Sequence, residues 1–176
     1  MKALPALVAL ALLCACNKND PAPLPSKIGE TYQGGIVFYI DGTGKHGLIA
    51  ATADQSSSAT WWNGSFIETK ATSTTDGKAN TDKIVAALGS TGDYAARLCR
   101  QYKGGGYTDW YLPSSEELGK LFNQRTVVGG FSTHIYWSST ETELGMAWTQ
   151  DFETGAKAVD NISDAANVSV RAIRSY

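Results

Sequence analysis

Clustered and alternating apolar positions divide the chain into strand-like ends and a helical middle. Residues 31–41 contain the β-branched and aromatic run Ile36–Ile40, and residues 46–53 form a second apolar segment after a turn-forming Asp-Gly-Thr-Gly sequence. These two segments predict a β-hairpin. Further strands, separated by polar turns, are predicted at residues 135–140, 146–153, 156–162 and 168–175.

The middle of the chain has the spacing of amphipathic helices. Apolar residues share one face in residues 81–88 and recur at every fourth position in residues 93–102, where Asp93 is the expected N-cap. A third helix is predicted to begin at Ser114, because Ser114 and Glu117 have the spacing of a capping box. About three mid-chain helices between strands predict an α+β fold with a mostly antiparallel sheet, in which the N- and C-terminal strands are joined.

The first apolar run belongs to a targeting segment. The run Ala3–Leu13 follows Lys2 and is too short to span a bilayer, which takes about 20 apolar residues. The run is followed by Cys14 and then by Ala15 and Cys16, and the Ala15–Cys16 junction resembles a bacterial lipobox. Residues 1–15 are therefore predicted to be a lipoprotein signal peptide and Cys16 the acylated residue, anchored in the membrane by several acyl chains. The alternative is an ordinary signal peptide that is cleaved elsewhere.

Residues 16–27 separate the lipidation site from the folded part. Pro21, Pro23 and Pro25 favour extended backbone and exclude a helix, so the segment predicts a tether with a reach of about 30 Å. The folded domain is then residues 28–176. The sequence Cys-Asn-Lys-Asn-Asp at the start of the tether partly resembles export signals of surface lipoproteins in some Gram-negative bacteria. This favours an outer-membrane lipoprotein, facing either outward or toward the periplasm.

Composition and charge exclude several function classes. The chain has 176 residues, 43% of them apolar and 18% charged, which is typical of one globular domain. Residues 31–176 carry 12 basic and 15 acidic side chains, so the excess of basic side chains that nucleic-acid binding needs is absent.

Cys99 would be the only cysteine of the mature domain besides the acylated Cys16, and a buried inert thiol is expected. His46 and His134 lack partners at metal-ligating spacing, so neither a metal nor a cofactor is predicted.

The candidate binding residues lie in loops and at strand ends. Trp110 and Trp148 fall in strand patterns and are predicted to be core, whereas the adjacent Trp61 and Trp62 point opposite ways in extended backbone. An exposed indole with nearby amides and carboxylates suits a sugar or a peptide. The predicted ligand-binding residues are Trp61, Trp62, Asn63, Glu141, Glu143, Gln150 and Asp151. The alternative is that the tryptophans pack the loop down and the acids are only solvated.

Four segments together resemble one protein family. They are Gly34–Tyr39, Asp109–Leu118, Tyr136–Thr140 and Val170–Arg174. On these motifs, residues 28–176 are similar to the Lcl C-terminal-like domain family, which in turn is similar to the formylglycine-generating-enzyme-type branch of the C-type lectin fold. The resemblance implies a C-type-lectin-like fold and a binding function, in some members toward glycans such as sulfated polysaccharides. Some members of the fold are binders diversified by retroelements, with varied residues near the C-terminal strands.

Departures from those relatives narrow the expected function. Formylglycine generation needs a pair of cysteines, and Cys99 is alone in the domain. Calcium-dependent sugar binding uses Glu-Pro-Asn or Gln-Pro-Asp with Trp-Asn-Asp, whereas Pro113 is the only proline of the domain and Trp62-Asn63 is followed by Gly64. We therefore expect a non-catalytic domain for a glycan or protein ligand, with no catalytic residues. The alternatives are a structural component of a surface adhesin or fimbrial complex, and a hydrolase or oxidase with an unrecognised site.

Overall fold

The described part of the chain starts after the predicted signal peptide. The computed structural model describes residues 23–131, 135–164 and 168–176. The predicted signal peptide, Cys16, the first residues of the tether and His134 lie outside these ranges. Within the same ranges, no helix combines the length and the apolar content that crossing a bilayer requires.

The strands form two four-stranded sheets in the described residues. Their bounds are β1 Thr31–Tyr32, β2 Gly35–Ile40, β3 Gly47–Ala50, β4 Ile135–Glu143, β5 Met146–Asp151, β6 Lys157–Asn161, β7 Val168–Ser169 and β8 Ile173–Ser175. The order is β1-β2-β3-β8 in the first sheet and β6-β5-β4-β7 in the second. Only the pair β4–β7 is parallel among the paired strands described. The predicted α+β class and the joining of the two chain ends in one sheet are confirmed, but the strands divide into two sheets.

Four α-helices occupy the middle of the described chain. They are α1 Gly77–Leu88, α2 Ala95–Gln101, α3 Ser115–Asn123 and the short α4 Arg125–Val128. Helix α1 begins before the predicted residue 81 because the Asp76 carboxylate caps it, accepting the Ala79 N–H at 2.8 Å. Helix α2 follows Tyr94, so the prediction that Asp93 caps it is wrong. Asp93 instead forms an ion pair with Arg97, at 3.1 Å.

The predicted capping box at the start of α3 is confirmed. The Ser114 hydroxyl accepts the Glu117 N–H at 3.3 Å, and the Glu117 carboxylate accepts the Ser114 N–H at 2.8 Å. The box therefore provides acceptors for two N–H groups at the helix start that have no partner within the helix. The apolar face of α3 buries Leu118 and Leu121 in a cluster with Phe38 of β2, which packs the helix against the first sheet.

The last apolar segment of the chain ties the two sheets together. It was predicted as one strand, but β7 pairs with β4 in the second sheet and β8 pairs with β3 in the first. Between these strands lies Arg171, whose side chain is fully buried. Its guanidinium forms an ion pair with Asp54 at 2.6 Å, and the Tyr136 hydroxyl donates to the same carboxylate at 2.8 Å. The bonds among Arg171, Asp54 and Tyr136 therefore join the C-terminal segment, the loop after β3 and strand β4.

The end of the predicted tether packs on the domain. Pro25 is buried, and both the amide and the hydroxyl of Ser26 donate to the Glu30 carboxylate, at 3.0 and 3.1 Å. Ordered packing therefore begins before Ile28, where the sequence placed the start of the domain.

Candidate functional site

The predicted ligand residues lie in two separate regions of the structure. Glu141 and Glu143 lie beside the turn between β4 and β5, whereas Gln150 and Asp151 lie at the other end of that hairpin, opposite the first residues of β4. Glu143 pairs with Met146, and β5 runs from Met146 to Asp151 in five steps of about 3.3 Å, so the two ends are roughly 17 Å apart. A single small ligand therefore cannot contact all seven residues.

Trp61 is a core residue in this structure. It is 1% exposed, and its indole Nε1 donates to the Ser138 carbonyl at 2.8 Å. Its neighbour Trp62 is half-buried and packs edge to face with Phe66, with ring centroids 5.9 Å apart. Trp61 is therefore unavailable to a ligand, which corrects its place among the predicted contacts.

A surface of apolar side chains lies where two loops meet beside the β4–β5 turn. Phe66 is 61% exposed, Ile67 45% and Leu144 48%. The Phe66 ring covers Gly145, because a Cβ on Gly145 would lie 2.9 Å from two of its carbons. We call Trp62, Phe66, Ile67 and Leu144 the loop surface. The sequence predicted ligand contacts in these two connections, but it did not single out the aliphatic and phenyl side chains that protrude there.

Two of the predicted contacts hold this loop in place. The Asn63 amide donates to the Leu88 carbonyl at 2.7 Å and accepts the Ser65 N–H at 3.0 Å. The Glu141 side chain is buried, and one of its carboxylate oxygens accepts both the N–H and the hydroxyl of Thr69, at 3.0 and 2.7 Å. These bonds fasten the loop to the end of α1 and to β4. Glu143, in contrast, is exposed at the edge of the loop surface.

Gln150 borders a groove between α3 and the β5–β6 hairpin, and Asp151 follows it at the end of β5. Trp148 and Gln150 are two positions apart on β5 and therefore share one face of the sheet. Two adjoining depressions, of about 230 and 400 Å³, have Glu116 and Lys157 in common. We call them together the α3 groove. Trp148 is half-buried at its wall, so the prediction that it is a core residue is wrong.

Asp151 stabilises the turn next to this groove. Its carboxylate accepts the N–H groups of Glu153 and Thr154, at 2.7 and 3.1 Å. The Gly155 N–H donates to the Asp151 carbonyl at 2.9 Å, and φ of Gly155 is +84°, a conformation that favours glycine. Thr154 and Gly155 lie in the turn that connects β5 to β6. Asp151 therefore shapes one end of the groove through its bonds to backbone.

The buried titratable groups serve structure. Glu117 accepts hydrogen bonds from the N–H groups of Ser114 and Gly77 and from the Tyr111 hydroxyl, at 2.8, 3.0 and 3.1 Å. Burial raises the pKa of Glu117, and burial also raises the pKa of the Cys99 thiol. A protonated, buried thiol is inert as a nucleophile. In the described ranges, no group of three or more His, Cys, Asp and Glu side chains is placed to hold a metal ion.

A pocket of about 500 Å³ lies on the other flank of α3. It is bordered by Tyr39, His46, Lys120 and Tyr176, with Glu117 among its lining residues. The Lys120 ammonium lies 4.2 Å from the centroid of the Tyr39 ring, so a cation–π contact holds it against the first sheet. The same lysine also lines the larger depression of the α3 groove.

Comparison with known proteins places the chain in a family. No curated protein matches it. Residues 50–174, well over half of the chain, match the Lcl C-terminal domain. The matched region includes both sides of the loop surface, all of the α3 groove and the buried Arg171. The chain therefore belongs to the Lcl C-terminal domain family.

Proposed function

We propose that this chain is a cell-envelope lipoprotein whose domain binds a protein partner through the loop surface, without catalysis. The observation that carries the proposal is the grouping of Phe66, Ile67 and Leu144, each more than two-fifths exposed, on two adjoining loops. Single exposed apolar side chains are ordinary, but adjoining ones with an aromatic anchor are typical of protein contact sites. The half-buried Trp62 extends the same surface inward.

The chemistry of the loop surface suits a protein better than a sugar. A sugar site needs polar side chains that are ready to bond hydroxyl groups. Here the Asn63 amide is engaged by Leu88 and Ser65, and Glu141 is buried. These bonds also fix the loop before a partner arrives, which lowers the entropy cost of binding.

A crosslinking experiment in the source bacterium tests the loop surface. A photoreactive phenylalanine analogue in place of Ile67 should give one discrete, light-dependent adduct with another protein, since Ile67 is exposed beside Phe66. The matched control is the same analogue at Val127, which is 49% exposed on α4. Equal adduct patterns at both positions, or no adduct at Ile67, would contradict the proposal.

The same apolar surface also supports a second candidate, a permanent subunit of a surface adhesin or fimbrial complex. Permanent interfaces are more apolar than transient ones, and the loop surface has few charged side chains besides Glu143 and Glu68. Purification of the crosslinked adduct separates the two candidates. A permanent subunit co-purifies at fixed stoichiometry without crosslinking, whereas a ligand dissociates on dilution.

The anchor is tested by lipid labelling. We expect that a clickable palmitate analogue labels the protein in the bacterium. The reason is the Ala15-Cys16 junction, which comes directly after the apolar run Ala3–Leu13 and Cys14. The variant Cys16→Ser should lose the label completely, while the matched control Cys14→Ser keeps it. Equal labelling of the Cys16→Ser variant and the unaltered protein would rule out Cys16 as the lipidated residue.

A further inference from the structure

The α3 groove contains a buried hydrogen-bond acceptor that the fold leaves unused. Gln150 is 4% exposed, and its Oε1 has no hydrogen-bond partner among the described residues. The Nε2 of the same amide donates to the Gly155 carbonyl at 3.3 Å. If the oxygen and nitrogen of the Gln150 amide were exchanged, its oxygen would face the Gly155 carbonyl oxygen, and two acceptors cannot bond each other. The observed orientation is therefore the favourable one. An amide oxygen in this position is costly to folding unless a ligand or water donates to it.

A donor is placed next to this acceptor over the middle of α3. A Cβ built on Gly119 would lie 3.4 Å from the Lys157 Nζ and 3.8 Å from the Gln150 Oε1, so both groups face the same point above the helix. The Lys157 ammonium donates to the Ser115 carbonyl at 3.1 Å, which fixes its position. An ammonium has three N–H groups, so donors remain for a second partner. A hydroxyl group both donates and accepts, so it has the chemistry to bond both Lys157 and Gln150.

An aromatic face borders the same groove. Trp148 lies on the same side of β5 as Gln150 and lines the smaller depression, together with Glu116. The Glu116 carboxylate accepts the Thr74 hydroxyl at 3.0 Å, which holds it at the rim. A half-buried indole offers an apolar plane, and a carboxylate offers further acceptors for hydroxyl groups.

We propose that the α3 groove binds a neutral sugar, with a pyranose ring against Trp148 and hydroxyl groups bonded to Gln150 and Lys157. This site is separate from the loop surface and does not depend on its partner. The smaller depression, which Trp148 lines, carries one acidic and one basic side chain, Glu116 and Lys157, and these opposite charges favour an uncharged ligand there. Lys120 lines the larger depression, with its ammonium over the Tyr39 ring. The two adjoining depressions give room for more than one sugar unit.

The test is an NMR titration of the mature chain, residues 16–176, carrying Cys16→Ser. The probes are methyl glucoside, mannoside and galactoside, N-acetylglucosamine, maltose, cellobiose, lactose and glucuronate. At least one neutral probe should shift the Gln150 side-chain amide and the Trp148 indole N–H signals together. The absence of such shifts with every neutral probe, or binding of glucuronate alone, would overturn the proposal.

Two variants separate binding from stability. Gln150→Leu removes the unused acceptor, so it should weaken binding at least about tenfold while the protein stays as stable or becomes more so. Gly119→Ala favours the helix by removing a mid-helix glycine, yet its methyl group covers the floor of the groove and should also weaken binding. Phe66→Ser on the loop surface is the control and should leave the titration unchanged. Undiminished binding in both groove variants would place the sugar elsewhere and refute this site.

Discussion

Replacing Arg171 with alanine should lower the free energy of unfolding by about 3–5 kcal/mol, because it breaks a buried ion pair by removing one partner. The guanidinium is fully buried and bonds Asp54 at 2.6 Å, and it also donates to the carbonyls of Ala51, Gly129 and Gly130. The Asp54 side chain is only 7% exposed, so its carboxylate would remain in a poorly solvated place without the cation. The total free energy of unfolding of a small domain is about 5–15 kcal/mol, so this loss would be a large fraction of it.

Urea denaturation measures this loss, and Arg174→Ala is the matched control. Arg174 lies three residues further on and also pairs with a carboxylate, but its partner Asp109 is 47% exposed. Water can take over the solvation of Asp109, so we expect a clearly smaller loss for the control. If both variants lose equally little, the buried pair does not hold the two sheets together. If Arg171→Ala does not fold, Arg171→Lys keeps the charge and should show an intermediate loss.

Local sequence signals predicted the local structure well. The spacing of Ser114 and Glu117 predicted the capping box, because that motif needs only residues within one helical turn. Likewise, the Asp-Gly-Thr-Gly turn between two apolar runs predicted the β2–β3 hairpin. A Gly-Gly pair in a strand pattern, such as Gly34-Gly35, is typical of close backbone approach, and a Cβ on Gly35 would collide with the Ala50 carbonyl.

Features that depend on distant packing were missed. The apolar–polar alternation of β5 places Trp148 at a position typical of the core. In the structure its side chain instead lines a depression with Ser115 and Glu116 of α3, which lie more than thirty residues earlier in the chain. The alternation identifies a face of the strand without saying what covers it, so the α3 groove could not be foreseen. The start of α1 was missed for a different reason, since residues 69–80 are mostly polar and the helix there depends on the Asp76 cap.

Removal of the Glu117 carboxylate is the second change with a large expected effect. Glu117→Ala abolishes the capping box and leaves three donors without this acceptor, the N–H groups of Gly77 and Ser114 and the Tyr111 hydroxyl. At about 1–3 kcal/mol for each buried donor left without a partner, a loss of at least about 3 kcal/mol is expected. The matched control is Glu116→Ala, since Glu116 is the exposed neighbour and should cost less than about 1 kcal/mol in the same urea titration.

The pH dependence of that loss shows how the Glu117 carboxyl contributes. Burial raises the pKa of Glu117 above its ordinary value of 4.5. At a pH between the unfolded and the folded pKa, the folded state therefore holds a proton that the unfolded chain has released. The contribution of Glu117 to stability is therefore fully present below the unfolded pKa and declines as pH rises through the folded one. The difference between the unaltered protein and Glu117→Ala should be larger at pH 4 than at pH 7, and titrations shared by both proteins cancel in it. A difference that grows with pH would instead mean that the three donors stabilise the anion more than burial disfavours it.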